Sequence, residues 1–199
     1  GHMLTIGITG PTGAGKTTAL QVLAEMGFAP IDCDALYYQL LRRDQALRRK
    51  LEDTFGSVFL PDGQLDRQRL GTIVFADPKA LARLNAIVYP AVNRAVEEEI
   101  AACTGQGAVV DAINLIESGL AGRCDITLAV TAPEEVRLRR IMARDGISEA
   151  YARRRIAAQK PDSYYRKHCT FLLENRAESR AAFDALVRET LESLLLCAP

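Results

Sequence analysis

Several things are missing from this sequence, and each absence removes a class of protein. No apolar run approaches the ~20 residues that a membrane-spanning helix needs, so no transmembrane segment is expected. The five cysteines (Cys33, Cys103, Cys124, Cys169 and Cys197) are odd in number and contain no C-x-x-C pair. That argues against a disulfide framework or a zinc site and for reduced thiols in a cytoplasmic protein. Gly1-His2-Met3 reads as the scar of a cleaved tag and is set aside; nothing after it has the pattern of a signal peptide. There is no internal repeat, no low-complexity tract and no N-K-x-D element of the kind that reads guanine, which leaves a GTP switch unsupported.

What is present is ordinary in bulk and pointed in detail. The 199 residues are 48% hydrophobic and 25% charged, enough for one sizeable core and typical of a soluble globular chain. The formal net charge is +0, yet Arg137 to Lys167 holds ten Lys/Arg against three Asp/Glu. A neutral protein with one concentrated basic stretch suits a local polyanion such as nucleotide phosphates. Nucleic-acid binding more often makes the whole domain basic and brings a recognition motif, so it is not expected.

The strongest local signal is Gly10-Pro-Thr-Gly-Ala-Gly-Lys-Thr17, between the apolar run Leu4–Ile8 and an amphipathic stretch beginning at Thr18. This is G-x-x-x-x-G-K-[ST] in a strand–loop–helix setting, the phosphate-loop pattern. Backbone amides at Gly13, Ala14, Gly15, Lys16, Thr17 and Thr18 would cradle ATP phosphates at a helix N-terminus. Lys16 would reach the β- and γ-phosphates, and the Thr17 hydroxyl would sit on Mg²⁺.

Alternation of short apolar runs with helical periodicity predicts an α/β fold: a three-layer arrangement with a five-stranded parallel sheet covered by helices on both faces. The strands are read at Leu4–Ile8, Phe28–Ile31, Gly107–Asp111, Ile126–Val130 and Phe171–Leu173. Between the second and third strands the chain reads as all helical, with Asp66 as an N-cap and two helices, Pro78 to Val88 and Pro90 to Cys103, each opening on a proline. Pro133 to Arg144, stopped by Gly146, and Ser148 to Gln159, capped by Ser148, form a helix pair; Lys160 to Lys167 reads as a loop, and Glu178 to Leu196 as a closing helix. The expected organisation is a single kinase domain over 4–199. Its core covers about 4–34 and 105–199, its helical acceptor subdomain about 35–104, and its lid about 145–168.

Phosphoryl transfer needs a base or orienter for the acceptor, positive charge around the moving group, and exclusion of water. Asp32 and Asp34 follow the second strand at the sheet edge where ligands bind. Asp34 is the stronger candidate for the base and Asp32 its competitor, with helix capping as the other reading of Asp32. Asp111, after the third strand, is a Walker-B-like candidate to hold Mg²⁺ through water. Arg140 and Arg144 share one helical face, and Arg155 shares another with Gln159; arginine forks bind phosphate bidentately. Of the run Arg153–Arg155, not all can point into one site. Motors and helicases run longer, so the layout favours a small-molecule kinase with an acceptor flap and an arginine-rich lid.

On these residues the chain resembles the dephospho-coenzyme A kinase family. The likeness rests on Ile31-Asp-Cys-Asp34, Phe55-Gly56, Asp62-Gly-Gln-Leu-Asp-Arg67, Leu70-Gly-Thr-Ile-Val-Phe-Ala-Asp-Pro78, Leu84-Asn85, Asp111 to Glu117, Arg144-Asp-Gly146, Arg155-Ile-Ala-Ala-Gln159 and Asn175. The resemblance implies ATP-dependent phosphorylation of the ribose 3′-hydroxyl of dephospho-CoA, with Mg²⁺. Asp34, Lys16 and Arg144 would be catalytic, and Arg144, Arg155 and Asn175 would join the loop in binding ATP. Asp34, Arg67, Tyr89, Asp111 and Glu117 would face the acceptor. Tyr89 stands where the family has histidine; it can donate a hydrogen bond but cannot become cationic. Ile113-Asn114 replaces Pro-Leu, Thr170 replaces an aspartate, and Glu174-Asn175 replaces Asp-Asn. The alternatives are a kinase of another hydroxyl acceptor (a nucleoside, shikimate or gluconate) and a nucleotide-binding module without catalysis. A monomer or weak homo-oligomer is expected.

Overall fold

The computed structural model describes residues 3–176 and 179–196, so Cys197 and the Glu178 start of the closing helix lie outside the described residues. The chain forms two compact units, one taking in the residues up to Ile31 and from Cys103 onward, the other running Asp32–Ala102.

The first unit is built on five strands: β1 (Leu4–Thr9), β2 (Phe28–Asp32), β3 (Gly107–Asp111), β4 (Ile126–Thr131) and β5 (Phe171–Glu174). They form one sheet in the order β2-β3-β1-β4-β5. β1 pairs in parallel with β3, Ile6 opposite Val109, and with β4, Ile6 opposite Ile126; β4 pairs in parallel with β5, Ala129 opposite Leu172. All six residues of β4 are buried, as expected of a strand covered on both faces, where the sequence runs continuously apolar rather than alternating. Helix α1 (Lys16–Glu25) and helix α9 (Arg180–Leu196) cover the sheet. Val22 and Leu23 from α1 and Phe183, Val187 and Leu191 from α9 join Ile6, Ile8, Val109, Leu128 and Val130 in one core. Helices α6 (Glu134–Asp145) and α7 (Glu149–Ala157) form a smaller cluster through Leu138, Ile141, Ala152 and Ile156. Ser148 caps α7 by accepting from the Tyr151 amide at 3.2 Å, and Gly146 ends α6 at φ +63°, as the residue types predict.

The second unit consists of α2 (Cys33–Arg43), α3 (Gln45–Phe55), α4 (Arg67–Phe75) and α5 (Pro78–Ala102), with α5 packed against the other three. Aspartates start three of these helices. Asp32 Oδ1 accepts from the amides of Asp34 and Ala35 at 3.0 and 3.1 Å, Asp44 from Leu47 at 3.0 Å, and Asp66 from Arg69 at 3.1 Å. Each cap stabilises its helix by about 1 kcal/mol relative to alanine.

Two sequence expectations are corrected. The two proline-led helices are a single helix, Pro78–Ala102, with Pro90 inside it. Proline removes one intrahelical bond there, but Pro90 is exposed while Val88, Ala91 and Val92 around it are buried, so packing carries the helix through. The loop read at Lys160 to Lys167 is largely helical: α8 spans Asp162–His168, starting after Pro161 and anchored by buried Tyr165.

Candidate active site

The phosphate loop joins β1 to α1 and is closely fitted. Gly15 is the N-cap of α1 at φ +98°, and a Cβ there would lie 2.5 Å from Asn175 Nδ2 and 2.9 Å from an Arg140 Nη. Gly13 has φ +82°, with the Arg137 carbonyl 3.0 Å from where a Cβ would stand. Left-handed backbone plus close neighbours make both positions glycine-only. The α1 N-terminus leaves amides without intrahelical partners, which suits an anion. Thr18 is buried and its amide donates to the Gly15 carbonyl at 3.2 Å, while Thr17 is exposed.

Lys16 leaves the start of α1 and meets Asp111 from the end of β3, with Nζ–Oδ1 2.6 Å and side chains 22% and 19% exposed. The cation expected to bind phosphate and the carboxylate expected to serve the metal are therefore a direct ion pair. Thr17 and Asp111 offer one hydroxyl and one carboxylate. That donor set fits Mg²⁺, which usually takes one or two protein oxygens beside phosphate oxygens and water.

Asn175, immediately after β5, is fully buried; its Nδ2 donates to the Ala14 carbonyl at 3.0 Å and its amide to the Thr131 carbonyl at 2.7 Å. Its Oδ1 and the Thr131 hydroxyl are buried without a partner.

At the end of α6, Arg144 forks onto Asp145 at 2.8 and 3.0 Å, and Arg155 Nη1 reaches the same carboxylate at 2.7 Å. Bonds from Arg144 and then Arg155 hold the Asp145 carboxyl well below the usual carboxylate range. Arg153 instead faces Glu134, Glu135 and Glu149 at 3.3–3.6 Å, a solvated network of little energetic weight. Glu117 accepts a hydrogen bond from the Tyr164 hydroxyl, and burial followed by this contact pushes the Tyr164 pKa up.

Sequence reasoning passed over one residue. Arg137 entered only as the edge of a basic stretch, yet it is 7% exposed and buried beside Leu138 and Ile141. An arginine on the apolar face of an amphipathic helix was the available signal. Burial lowers its pKa, and its bonds go to Thr12 of the loop and to Gln159 just beyond α7.

In the second unit, Asp34 is exposed in the first turn of α2, the helix that Asp32 caps. Along the same helix, Ala35, Tyr38, Gln39 and Arg42 line a cleft of about 390 Å³ shared with Gly63, Gln64 and Arg67. The Arg67 guanidinium stacks over Tyr38, 4.0 Å from the ring centre. Neighbouring Tyr37 is pushed up to about 12, first by burial. Tyr89 is half-buried on α5.

Against known proteins, residues 4–181 match the family model described as dephospho-CoA kinase. A dephospho-CoA kinase of Geobacter sulfurreducens is 39% identical over 163 residues, covering 80% of this chain and 83% of the relative. One from Thermobifida fusca is 37% identical over 194 residues, covering 96% of each. The chain belongs to the dephospho-CoA kinase family. It is a P-loop kinase, and its activity is phosphorylation of dephospho-CoA to coenzyme A. A Thermus thermophilus crystal structure superposes with a TM-score of 0.80 at 35% identity over 98% of both chains. At the level of fold alone, a Campylobacter jejuni dephospho-CoA kinase (TM-score 0.58, 21% identity, covering 96% of this chain and 97% of its own) and a Bacteroides thetaiotaomicron shikimate kinase (0.60, 16%, 97% and 99%) share the architecture.

Proposed function

We propose that the kinase divides its two substrates between its two units. ATP goes to the phosphate loop, Gly13 to Thr18, with Lys16 on the β- and γ-phosphates and Arg144 and Arg155 turning from Asp145 to phosphate oxygens. Dephospho-CoA goes to the Asp32–Ala102 unit, with Arg67 and Tyr89 among its contacts. Asp34 takes the proton of the ribose 3′-hydroxyl as that oxygen attacks the γ-phosphorus; the bond to the β–γ bridging oxygen breaks and ADP leaves. Thr17 and Asp111 would hold Mg²⁺, which would supply charge neutralisation at the phosphates.

One observation carries the assignment of the base. Asp32 is spent as an N-cap on two amides at 3.0 and 3.1 Å, while exposed Asp34 follows it on the helix that also lines the Arg67–Tyr38 cleft. Asp34→Asn should then lower kcat by roughly 10²–10⁴ with both KM values little changed, whereas Asp32→Ala should cost about 1 kcal/mol of stability. The reverse pattern, with Asp32 controlling kcat, would overturn the assignment. The reaction belongs in a reducing cytosol, a reading supported by the odd number and wide spacing of the cysteines in the sequence. Among the described residues no helix is long and apolar enough to cross a membrane.

A further inference from the structure

Three consecutive carbonyls of the phosphate loop are held by side-chain donors from outside the loop. Arg137 Nε donates to the Thr12 carbonyl at 3.0 Å, Arg140 Nη1 to that of Gly13 at 3.4 Å, and Asn175 Nδ2 to that of Ala14 at 3.0 Å. A trans peptide is planar, so the carbonyl of one residue and the amide of the next point in opposite directions. Pinning the carbonyls of Thr12, Gly13 and Ala14 therefore fixes which way the amides of Gly13, Ala14 and Gly15 point. Those are donors of the phosphate cradle.

Thr12 is bound more completely still. Gln159, just beyond the end of α7, accepts from the Thr12 amide at 3.0 Å and donates through Nε2 to the Thr12 hydroxyl at 2.8 Å. Arg137 Nη2 closes the circuit by donating to Gln159 Oε1 at 2.5 Å. Amide, carbonyl and hydroxyl of one loop residue are all engaged by two side chains, one of them a nearly buried arginine. With the guanidinium donating to both Thr12 and Gln159, the three residues form a closed circuit of hydrogen bonds, the kind of buried polar network that rigidifies its surroundings.

We propose that Arg137 and Gln159 are positioning residues for nucleotide binding: by clamping Thr12 they hold the loop's amides turned toward the phosphates before ATP arrives. This rests on the phosphate loop being the ATP site. Preorganised donors bind without the cost of ordering the loop, and the end of α7 is tied to the loop it would close over. Neither residue needs to touch the nucleotide.

The test is ATP affinity by calorimetry, alongside separate KM values for ATP and dephospho-CoA, in Gln159→Ala, Arg137→Met, Arg137→Lys and Lys16→Ala. Gln159→Ala and Arg137→Met should each weaken ATP binding about tenfold and raise KM for ATP, with KM for dephospho-CoA unmoved. Arg137→Lys, which retains a donor for the Thr12 carbonyl, should recover part of the loss. Thr12→Val removes only the hydroxyl contact and should be less than additive with Gln159→Ala. Gln159→Ala decides the question by itself if Arg137→Met does not fold. ATP affinity unchanged in Gln159→Ala while Lys16→Ala loses it would overturn the clamp and leave the ATP site standing. Parallel loss of affinity for both substrates in Gln159→Ala, with a lowered melting temperature, would also overturn it. Full ATP affinity in Lys16→Ala would instead remove the underlying reading of the loop.

Discussion

Lys16 and Asp111 are paired, Nζ to Oδ1 at 2.6 Å, across the ends of α1 and β3. On the proposed reading, ATP entry would exchange one anionic partner of Lys16 for another and would release the carboxylate to a metal ion. Lys16→Met should lower kcat by roughly 10²–10³, the usual cost of losing one preorganised donor to developing charge. Asp111→Asn should chiefly raise the Mg²⁺ concentration needed for half-maximal turnover. Steady-state rates across a Mg²⁺ titration check both; an unshifted Mg²⁺ dependence in Asp111→Asn would contradict the metal role.

Gly15 makes a sharper structural prediction. Its φ of +98° and the 2.5 Å approach to Asn175 Nδ2 leave no room for a methyl group. Gly15→Ala should destabilise the fold by about 1–3 kcal/mol and abolish measurable ATP binding. Denaturant melts and calorimetry on one preparation would show both effects.

Asp145 carries a pH signature at the junction of α6 and α7. Its carboxyl pKa is depressed by Arg144 and Arg155, so the stabilisation from these pairs is complete above the ordinary carboxylate pKa of about 3.9. It is lost as pH falls through the lower folded value. The Asp145 carboxyl resonance should titrate well below 3.9, and Arg144→Ala should move the midpoint up toward it. An ordinary midpoint in both proteins would contradict the bridging geometry.

Arg67, stacked on Tyr38 at the cleft of the second unit, should serve the acceptor alone. Arg67→Ala should raise KM for dephospho-CoA roughly 10- to 100-fold, the scale of a lost hydrogen bond to a charged group, and leave KM for ATP unchanged. Equal effects on both substrates would count against a divided site.

Much of this fold was legible because local chemistry and tertiary demand agree. β3 runs Gly107–Asp111 as its apolar run indicates, and Asp66 and Ser148 cap the helices their residue types announce. The misses are places where packing overrides local signals. Pro90 marks a helix start by propensity, yet buried Val88, Ala91 and Val92 keep α5 continuous across it. The polar stretch after Pro161 becomes α8 because Tyr165 finds a buried place. In the candidate site, the loop's glycines and Lys16 could be read from spacing, but the Thr12 circuit could not. It joins residues 125 and 147 positions apart, and sequence periodicity carries no information about such pairings. Asp145 is similar: its neighbours make an arginine motif visible, and only the fold brings one carboxylate to two of those arginines.

The central claim is tested most directly by incubating the purified protein with Mg-ATP and dephospho-CoA and following ADP release together with the 3′-phosphorylated product. The expected result is turnover that requires dephospho-CoA, yields coenzyme A in a 1:1 ratio to ADP as the stoichiometry of the transfer demands, and collapses in Asp34→Asn. ATP consumption that dephospho-CoA does not stimulate, or that a nucleoside or shikimate supports better, would contradict it.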